Sequence, residues 1–251
     1  MSRRVSAAVT TTEAPPIGRR TSSLGWLATP LRWGFWLAVG LVVLLVGLTA
    51  LYAVAPPVST LMLGRWATLQ PVDRRWTPLE GISPNLVRAV ILSEDARFCS
   101  HDGVDWGALR SVLDDAEEDG PSRGASTITM QTAKNLFLWP SRSYVRKGLE
   151  IPMAMWLDLA WSKRRVMEVY LNIAEWGPGL FGAEAAARKY FNKPASELTV
   201  REATLLTKAL PNPIKRNPAK PSRGLQRLAL RLAGHLAAAD PWVQCVKVSR
   251  R

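Results

Sequence analysis

The chain has 251 residues, 47% of them hydrophobic, so it is long enough for a membrane segment and one domain with a sizeable core. Its formal net charge of +13 favours anionic partners, such as nucleic acid, anionic lipid head groups or a phosphorylated substrate. Two cysteines, Cys99 and Cys245, exclude a multi-disulfide framework and a zinc site. A single bridge between them is compatible with an extracytoplasmic domain, and Cys99 is otherwise interpreted as a packed residue.

The N-terminal part of the chain predicts a tail followed by a membrane span. Residues 1–33 are interpreted as a basic disordered tail, because they hold few large apolar residues and five arginines against one acidic residue. Residues 34–55 form an uncharged apolar run of bilayer-spanning length, which is too long for the core of a cleaved signal peptide. Since the basic residues precede this predicted transmembrane helix, the N-terminus is expected in the cytoplasm and the remainder outside.

The rest of the chain predicts a connector at residues 56–80 and a mainly helical domain at residues 81–221. Helical periodicity dominates there and strand-like alternation is scarce. Residues 222–251 predict a basic amphipathic helix and tail. This helix fits either an anionic membrane surface or a domain with a solvated basic face, and the second is favoured. The predicted helices are Asn85–Phe98, Trp106–Glu117, Thr127–Leu136, Arg142–Leu149, Met153–Ser162, Lys163–Asn172, Gly182–Phe191, Val200–Leu210 and Leu225–Ala238.

The segment Ser93–Gly103 contains the first candidate catalytic group. Glu94 follows Val90 and Ile91 on the apolar face of the first domain helix, whereas Asp95 is expected to turn away from that face. A carboxylate that loses hydration there is a better general base near neutral pH. It is equally compatible with a structural ion pair, which the residues of this segment alone favour.

A second cluster begins at Ser126 and Thr127. Either residue can cap a helix whose free N–H groups face an anion, although a lone Gly-Ala-Ser-Thr is weak evidence and the sequence is not a P-loop. Gln131 and Lys134 lie one turn apart on that helix and are expected to project together.

A third cluster combines cations with a second carboxylate. Arg142, Arg146 and Glu150 are spaced i, i+4, i+8, with Lys147 beside them. Such a stripe is either an exposed salt-bridged face or a cationic clamp for a pyrophosphate. Taken alone, the stripe favours the exposed face.

A fourth cluster, on the predicted helix Lys163–Asn172, places Glu168 and Asn172 on one face, where such residues usually brace neighbouring helices through hydrogen bonds.

Taken in chain order, the motifs of these four clusters resemble the peptidoglycan glycosyltransferase family, glycosyltransferase family 51, over roughly residues 56–221. The motifs are Glu94-Asp95-x-x-Phe98-x-x-His101-x-Gly103, Gly124-x-Ser126-Thr127-x-x-x-Gln131-x-x-Lys134-Asn135, Arg146-Lys147-x-x-Glu150 and Lys163-x-x-x-x-Glu168-x-Tyr170-x-Asn172. Shorter segments are similar to monofunctional biosynthetic transglycosylases: Leu138-Trp139-Pro140, Trp161-Ser162-Lys163, Ala174-Glu175-Trp176-Gly177 and Leu210-Pro211-Asn212-Pro213.

The resemblance implies a lysozyme-like helical fold with a membrane-contacting jaw, and polymerisation of lipid II with inversion and release of polyprenyl diphosphate. It implies Glu94 as the base for the acceptor sugar's 4-hydroxyl and Glu150 as an assisting carboxylate near the donor. Lys134 and Arg142 would stabilise the departing pyrophosphate, with Arg146 and Lys147 nearby. The expected substrate-binding residues are Asp95, Phe98, His101, Ser126, Thr127, Gln131, Lys134, Asn135, Arg142, Arg146, Lys147, Glu168, Tyr170 and Asn172.

The resemblance also implies a cofactor, a location and partners. A divalent metal, Mg²⁺ or Mn²⁺, is expected at the pyrophosphate, although the sequence shows no diagnostic ligand set. The expected location is the bacterial inner membrane, with the catalytic domain in the periplasm. Expected partners are lipid II, the growing glycan strand, membrane lipid, and a transpeptidase or division or elongation proteins, because the chain leaves no room for a transpeptidase domain. Nucleic acid is not an expected partner of a domain outside the cell.

Three residues depart from the family's pattern, namely Ala125, Met130 and Pro152. None of them removes a proposed catalytic group, so an active enzyme is expected, with a rate that these positions can lower. Two alternatives remain at this point. A lysozyme-like glycan hydrolase conflicts with the cluster of cations, which a neutral leaving group does not need. A non-catalytic membrane-anchored scaffold is left open by Met130 and Pro152.

Overall fold

The structure, a computed structural model, describes residues 25–118, 125–141 and 143–247. The chain divides into two units, one ending at Val46 and the other beginning at Gly47. Helix α1, Gly25–Tyr52, begins in the first unit and ends in the second. Residues 25–33, assigned to the tail by the sequence, are therefore helical, because Trp, Leu and Ala favour a helix there and only Pro30 lacks an N–H.

Helix α1 fits the predicted membrane span. Its segment Thr29–Tyr52 has 24 residues and is long and apolar enough to cross a membrane. At 1.5 Å per residue the segment rises about 36 Å, which exceeds the roughly 30 Å of a bilayer's hydrocarbon core. Apolar side chains along it are exposed, as expected for a helix that faces lipid. The span begins and ends a few residues earlier than the predicted 34–55.

The second unit is mainly helical, as predicted. Three short strands form one sheet of order β1-β3-β2, in which β3 is parallel to β1 and antiparallel to β2. The strands are β1 Asp73–Arg74, β2 Glu175–Gly177 and β3 Leu180–Phe181. The helices are α2 Thr60–Ala67, α3 Pro84–Glu94, α4 Trp106–Glu118, α5 Ile128–Phe137, α6 Tyr144–Ala160, α7 Lys163–Ile173, α8 Ala183–Phe191, α9 Val200–Ala209 and α10 Arg223–Leu236. Short 3₁₀ turns occupy Leu79–Gly81, Phe98–Ser100, Ala195–Glu197 and Asp240–Val246.

Helix α7 lies at the centre of the core. Most of its residues are buried, and it packs against α5, α6 and α8. Helix α3 packs against α9 and α10, which completes the core around the end of α3. The apolar positions of α10, Leu225, Ala229, Leu232 and Leu236, are buried, so the helix packs on the domain and turns its arginines outward. A Leu→Ala change in this core, for example at Leu171, is expected to cost about 2–5 kcal/mol.

Helix α3 is shorter than predicted. Ser83 accepts a hydrogen bond from the Asn85 N–H and Pro84 fills the first position, so the helix begins as its sequence indicates. It ends at Glu94 rather than at Phe98. Asp95 leaves the helix with an extended φ of −162°, and its carboxylate turns into the domain instead of away from it. The prediction that Asp95 faces outward is therefore wrong, because its buried partners hold the carboxylate inward.

Helix α6 replaces two predicted helices. The segments Arg142–Leu149 and Met153–Ser162 were expected to be separate, but one helix spans Tyr144–Ala160 with Pro152 inside it. Pro152 lacks the N–H that would bond the Gly148 carbonyl, yet its ring lies on the exposed side of the helix. Packing against α5 and α7 holds the helix together on the opposite side.

Two links join distant parts of the second unit. Cys99 and Cys245 form a disulfide, with their Cα atoms 5.5 Å apart, that ties the turn after α3 to the last 3₁₀ turn. This is the bridge that the sequence left open. The end of α1 is held by α6 and α7, because the Trp161 indole donates to the Thr49 carbonyl and the Arg165 guanidinium donates to the Tyr52 carbonyl.

Candidate active site

Glu94 lies where two clefts meet. It is the last residue of α3, it is half-buried, and it lines both clefts. The first, of about 160 Å³, is called the Tyr170 cleft and is also lined by Leu61, Gln131, Lys134, Asn135, Tyr170, Glu175 and Leu210. The second, of about 210 Å³, is called the Ser126 cleft and is also lined by Asp95, Arg97, Asp105, Ala125, Ser126 and Thr127. Glu94 thus borders both clefts.

A third cleft, of about 290 Å³, adjoins the Tyr170 cleft and shares Leu61, Lys134 and Asn135 with it. It is called the Trp139 cleft, and its lining also includes Thr60, Leu138, Trp139, Pro140, Ser141 and Arg146. The Thr60 hydroxyl donates to the Leu138 carbonyl at 2.6 Å, which fixes α2 beside this cleft. The predicted connector therefore contains a helix that shapes the site.

Asp95 positions the start of α5. One carboxylate oxygen accepts the Ile128 N–H at 2.9 Å, at the N-terminus of that helix, where a negative charge is favourable. Both oxygens lie 3.0 Å from His101 Nε2. His101 is held in turn by Lys163, whose ammonium donates to the His101 carbonyl and stacks 4.9 Å from the Phe98 ring. Asp95, Phe98 and His101 therefore form a buried support beneath Glu94.

Thr127 resolves the open question of which residue caps α5. Its hydroxyl accepts the Met130 N–H and donates to the Gly103 carbonyl at 2.6 Å, so it is fully engaged within the protein. Ser126 faces the cleft instead, where its hydroxyl accepts from the Lys147 ammonium at 2.5 Å. Gly103 has a φ of +83°, and a Cβ there would lie 2.6 Å from the Ala154 carbonyl oxygen, which explains the glycine.

Glu150 is buried among cations rather than exposed on a helix face. It is 2% exposed, it pairs with Arg146 one turn earlier, and its second oxygen accepts from Lys147 at 2.7 Å. The interpretation as an exposed salt-bridged stripe is therefore wrong, because α6 turns this face toward α5. With Lys134 included, three cations and one carboxylate leave a formal charge of +2 in the cluster.

Lys134 is the cation of this cluster that lines two clefts and has no carboxylate partner among the described residues. It lines both the Tyr170 and Trp139 clefts, and within the described residues its ammonium forms no hydrogen bond or ion pair. Burial lowers the pKa of Lys134, with the charges of Arg146 and Lys147 acting in the same direction and Glu150 opposing them. Such an ammonium gains most from an anionic ligand.

Tyr170 and Gln131 are hydrogen-bonded to each other in the lining of the cleft that Glu94 shares. The Tyr170 hydroxyl donates to Gln131 Oε1 at 3.1 Å, and both residues line the Tyr170 cleft. Burial raises the pKa of Tyr170 well above its ordinary value, and the nearby charges of Glu94 and Asp95 raise it further. The phenol therefore stays protonated and acts as a hydrogen-bond donor.

Glu168 and Asn172 brace the chain before α3. The Glu168 carboxylate accepts the Leu79 N–H at 2.9 Å, and the Asn172 amide exchanges two hydrogen bonds with the Thr77 backbone at 2.8 Å each. Their contacts match the bracing role that the residues themselves indicated, and the substrate contact that the resemblance implied stays a prediction. Arg142 lies outside the described residues.

The three departures from the family's pattern have different surroundings. Met130 is fully buried against Val104 and Ala154, so it packs the domain and does not face the cleft. Ala125 lines the Ser126 cleft, where a small side chain leaves room. Pro152 lies half a turn after Glu150 on the exposed side of α6, away from the cation cluster.

The described residues contain no cluster of three or more His, Cys, Asp or Glu side chains that could by itself hold a divalent metal. Near Lys134 the only carboxylate of the cation cluster is Glu150, and its oxygens are paired with Arg146 and Lys147. This donor set suits an anion, since it presents ammonium and guanidinium groups rather than oxygen ligands.

Sequence reasoning missed Lys208 and Leu61. Lys208, on α9, donates to the Ser93 hydroxyl at 2.8 Å, and that hydroxyl donates to Glu94 at 3.0 Å. Leu61 lines two clefts from the predicted connector. The apolar run around Leu61 was a usable signal, whereas nothing near Lys208 in the sequence indicates that α9 packs against α3.

Comparison with known proteins identifies the family of this chain. Residues 62–235 match the family described as Transglycosylase. A biosynthetic peptidoglycan transglycosylase of Brucella suis biovar 1 (strain 1330) is 60% identical over 191 residues, which cover 76% of this chain and 85% of that protein. The protein of the same name from Agrobacterium fabrum (strain C58 / ATCC 33970) is 57% identical over 190 residues, 76% of this chain and 84% of that protein.

Fold, site and relatives together define a glycosyltransferase with a helical domain and an apolar N-terminal helix. The chain belongs to the transglycosylase family and is a peptidoglycan glycosyltransferase. The resemblance drawn from the four motifs is confirmed. Neither a hydrolase nor a non-catalytic scaffold receives support from these relatives.

Proposed function

We propose that this enzyme polymerises lipid II and that Glu94 is the general base for the acceptor sugar's 4-hydroxyl. The observation that carries the proposal is that the two clefts share Glu94. Glycosyl transfer requires a donor and an acceptor to meet, and a carboxylate open to both clefts can take the hydroxyl proton as the new bond forms. The base then contributes about 10²–10⁴-fold to the rate.

The pyrophosphate of the donor is assigned to Lys134 and Arg146, which line the Trp139 cleft together. A sugar diphosphate leaves as a stable anion, so the reaction needs cations where negative charge develops and no acid for the leaving group. Glu150 holds Arg146 and Lys147 in place. Its own charge is neutralised by them, so its proposed assistance acts through the cations rather than by proton transfer.

We further propose an inner-membrane protein whose catalytic domain lies in the periplasm. The apolar segment Thr29–Tyr52 supports a membrane anchor, and Arg32 near its start favours a cytoplasmic N-terminus. The Cys99–Cys245 disulfide supports an oxidising compartment for the domain. Lipid II and the growing strand would then reach the clefts from the membrane surface.

The test is a lipid II polymerisation assay on the detergent-solubilised full chain. Glu94→Gln is expected to lower the rate at least about 100-fold while the thermal midpoint stays that of the unmodified protein. Glu197→Gln, at an exposed glutamate far along the chain, is the matched control and is expected to keep full activity. Glycan of normal length and yield from Glu94→Gln would overturn the assignment. Repeating the assay with a chelator tests the divalent metal that the family resemblance implies.

A further inference from the structure

Glu94 is contacted by a pair of residues that lies behind the clefts. Ser93 Oγ lies 3.0 Å from Glu94 Oε1 and 2.8 Å from the Lys208 ammonium. Lys208 is half-buried on α9, and within the described residues it forms no ion pair. The residues that line the two clefts do not include it. Its charge is therefore directed at Ser93 and Glu94 rather than at substrate.

The chemistry of this chain of contacts fixes its direction. An ammonium has three donors and no acceptor, so the Ser93 oxygen must accept from Lys208. The Ser93 hydroxyl hydrogen then points at Glu94, and Ser93 donates it to a carboxylate oxygen of Glu94. Without the ammonium the hydroxyl can rotate toward other acceptors. Lys208 thus orders Ser93, and Ser93 orders one oxygen of Glu94.

We infer that Lys208 is a positioning residue for Glu94, acting through Ser93 to hold the carboxylate aimed at the acceptor hydroxyl. The inference rests on the proposed role of Glu94 as the base. A hydroxyl that is ordered by a neighbouring cation offers one carboxylate oxygen a fixed donor, which limits rotation of the carboxylate. Its second oxygen remains available to the clefts.

The surroundings of Lys208 agree with this role. Burial lowers the pKa of Lys208, the Glu94 carboxylate opposes that effect, and the Arg216 guanidinium adds to it. Arg216 also donates to the Lys208 carbonyl at 2.7 Å, which fixes the end of α9 against the following loop. The fold therefore retains a partly desolvated cation here, and Glu94 is the carboxylate that stabilises it.

Charged and titratable groups other than Lys208 also surround Glu94 and bear on what a pH measurement will report. They lie on several elements packed around the two clefts: Arg216 after α9, Lys134 on α5, the protonated Tyr170 on α7, Glu175 on β2, and Asp95, Arg97 and Asp105 around the Ser126 cleft. Removing Lys208 leaves all of these in place. A change in the acidic limb of the activity profile then reports the loss of this one cation.

The experiment measures kcat, KM for lipid II and the pH profile of the solubilised full chain carrying Lys208→Met. We expect kcat to fall about tenfold with KM within about twofold, because the variant misplaces the base without touching substrate. The acidic limb should move to higher pH, since the carboxylate loses a stabilising cation. Lys208→Arg should restore most of the rate. Arg201→Met, an exposed cation at the other end of α9, is the matched control.

A double-mutant cycle tests the path through Ser93. Ser93→Ala should lower kcat similarly, and adding Lys208→Met to it should cause little further loss. Independent, multiplying losses would contradict a path through Ser93. If Lys208→Met lowers the thermal midpoint strongly, Ser93→Ala alone carries the test, because the change removes one oxygen atom.

The outcomes separate this inference from the proposed function. If Glu94→Gln is inactive but Lys208→Met and Ser93→Ala keep the kcat and acidic limb of Arg201→Met, the positioning role is overturned and the base role stands. If Glu94→Gln keeps full activity, both are overturned. A loss confined to KM would also contradict positioning, since it would indicate substrate contact.

Discussion

Two carboxylates in this site are held in opposite ways. Glu94 ends α3 between two clefts, half-buried, and the group that contacts its oxygen is the neutral hydroxyl of Ser93. Glu150 lies in the middle of α6, is 2% exposed, and is paired with both Arg146 and Lys147. The first keeps a charge that faces open space, whereas the charge of the second is neutralised within the protein.

Because their surroundings differ, Glu94 and Glu150 suit different roles although both are glutamates. A carboxylate bound by two cations is held in one place by both of them, so Glu150 suits the task of organising a cationic surface. A carboxylate that has one neutral donor and solvent-accessible sides can accept a proton from a sugar hydroxyl. The surroundings of Glu94 are fixed by neighbours instead, through Asp95 and through the disulfide at Cys99.

The largest expected effect comes from removing the Cys99–Cys245 disulfide, which holds the turn that follows Glu94. The bridge closes a loop of 146 residues. Cys99→Ser with Cys245→Ser is expected to lower the free energy of unfolding by about 2–5 kcal/mol. Urea denaturation of the oxidised protein, the double variant and the protein with reductant measures it, and coincident midpoints for all three would contradict the prediction.

The next effect concerns Lys134, the cation near Glu150 that has no carboxylate partner among the described residues and lines two clefts. Lys134→Met is expected to lower kcat for lipid II polymerisation about 100-fold, equivalent to about 2.7 kcal/mol, because the departing pyrophosphate loses a preorganised cation. Lys215→Met, at an exposed lysine, serves as the control. Equal rates for the two variants would remove Lys134 from the mechanism.

Sequence patterns predicted the neighbours of Glu150 better than the neighbours of Glu94. The i, i+4 spacing of Arg146 and Glu150 correctly placed them together, and Thr127 caps α5 as its type suggests. Their burial did not follow from the pattern, because the same spacing occurs on solvated helix faces. It depends on which side of α6 packs against α5, and that is decided by contacts distant in sequence.

The surroundings of Glu94 were harder to predict. Periodicity carried α3 on to Phe98, but the helix ends at Glu94 because Asp95 finds its partners in His101 and the start of α5. Lys208 is 114 positions from Glu94, and on its own helix it resembles any solvated lysine. Local propensity cannot report such pairings, since each side chain's best partner belongs to another element.

A smaller effect on stability separates the two carboxylates directly. Glu150→Gln leaves Arg146 and Lys147 without their common partner, so the free energy of unfolding should fall by about 2 kcal/mol. This is less than the 3–5 kcal/mol of a fully buried pair, because the Lys147 side chain is 36% exposed. Glu94→Gln, measured by the same urea titration, should change stability by less than about 0.5 kcal/mol. A similar loss in both variants would contradict the comparison.

The smallest effect is a pH dependence of stability at Lys134. Because folding lowers the pKa of Lys134, the unfolded chain binds more protons between the lowered value and the ordinary 10.5. The burial penalty is therefore full below the lowered pKa and disappears as pH rises toward 10.5. Lys134→Met should be more stable than the unmodified protein near neutral pH, by up to about 1 kcal/mol.

That gain should shrink as the pH of the urea titration approaches the ordinary lysine pKa, whereas Lys215→Met should show no gain at any pH. A gain that does not vary with pH would mean that Met packs better than Lys, rather than that a buried charge was removed. A variant that is more stable yet about 100-fold slower would show that the fold retains this charge for the substrate. Glu150→Gln, by contrast, should lose stability, since the negative charge of Glu150 offsets the cost of burying Arg146 and Lys147 beside it.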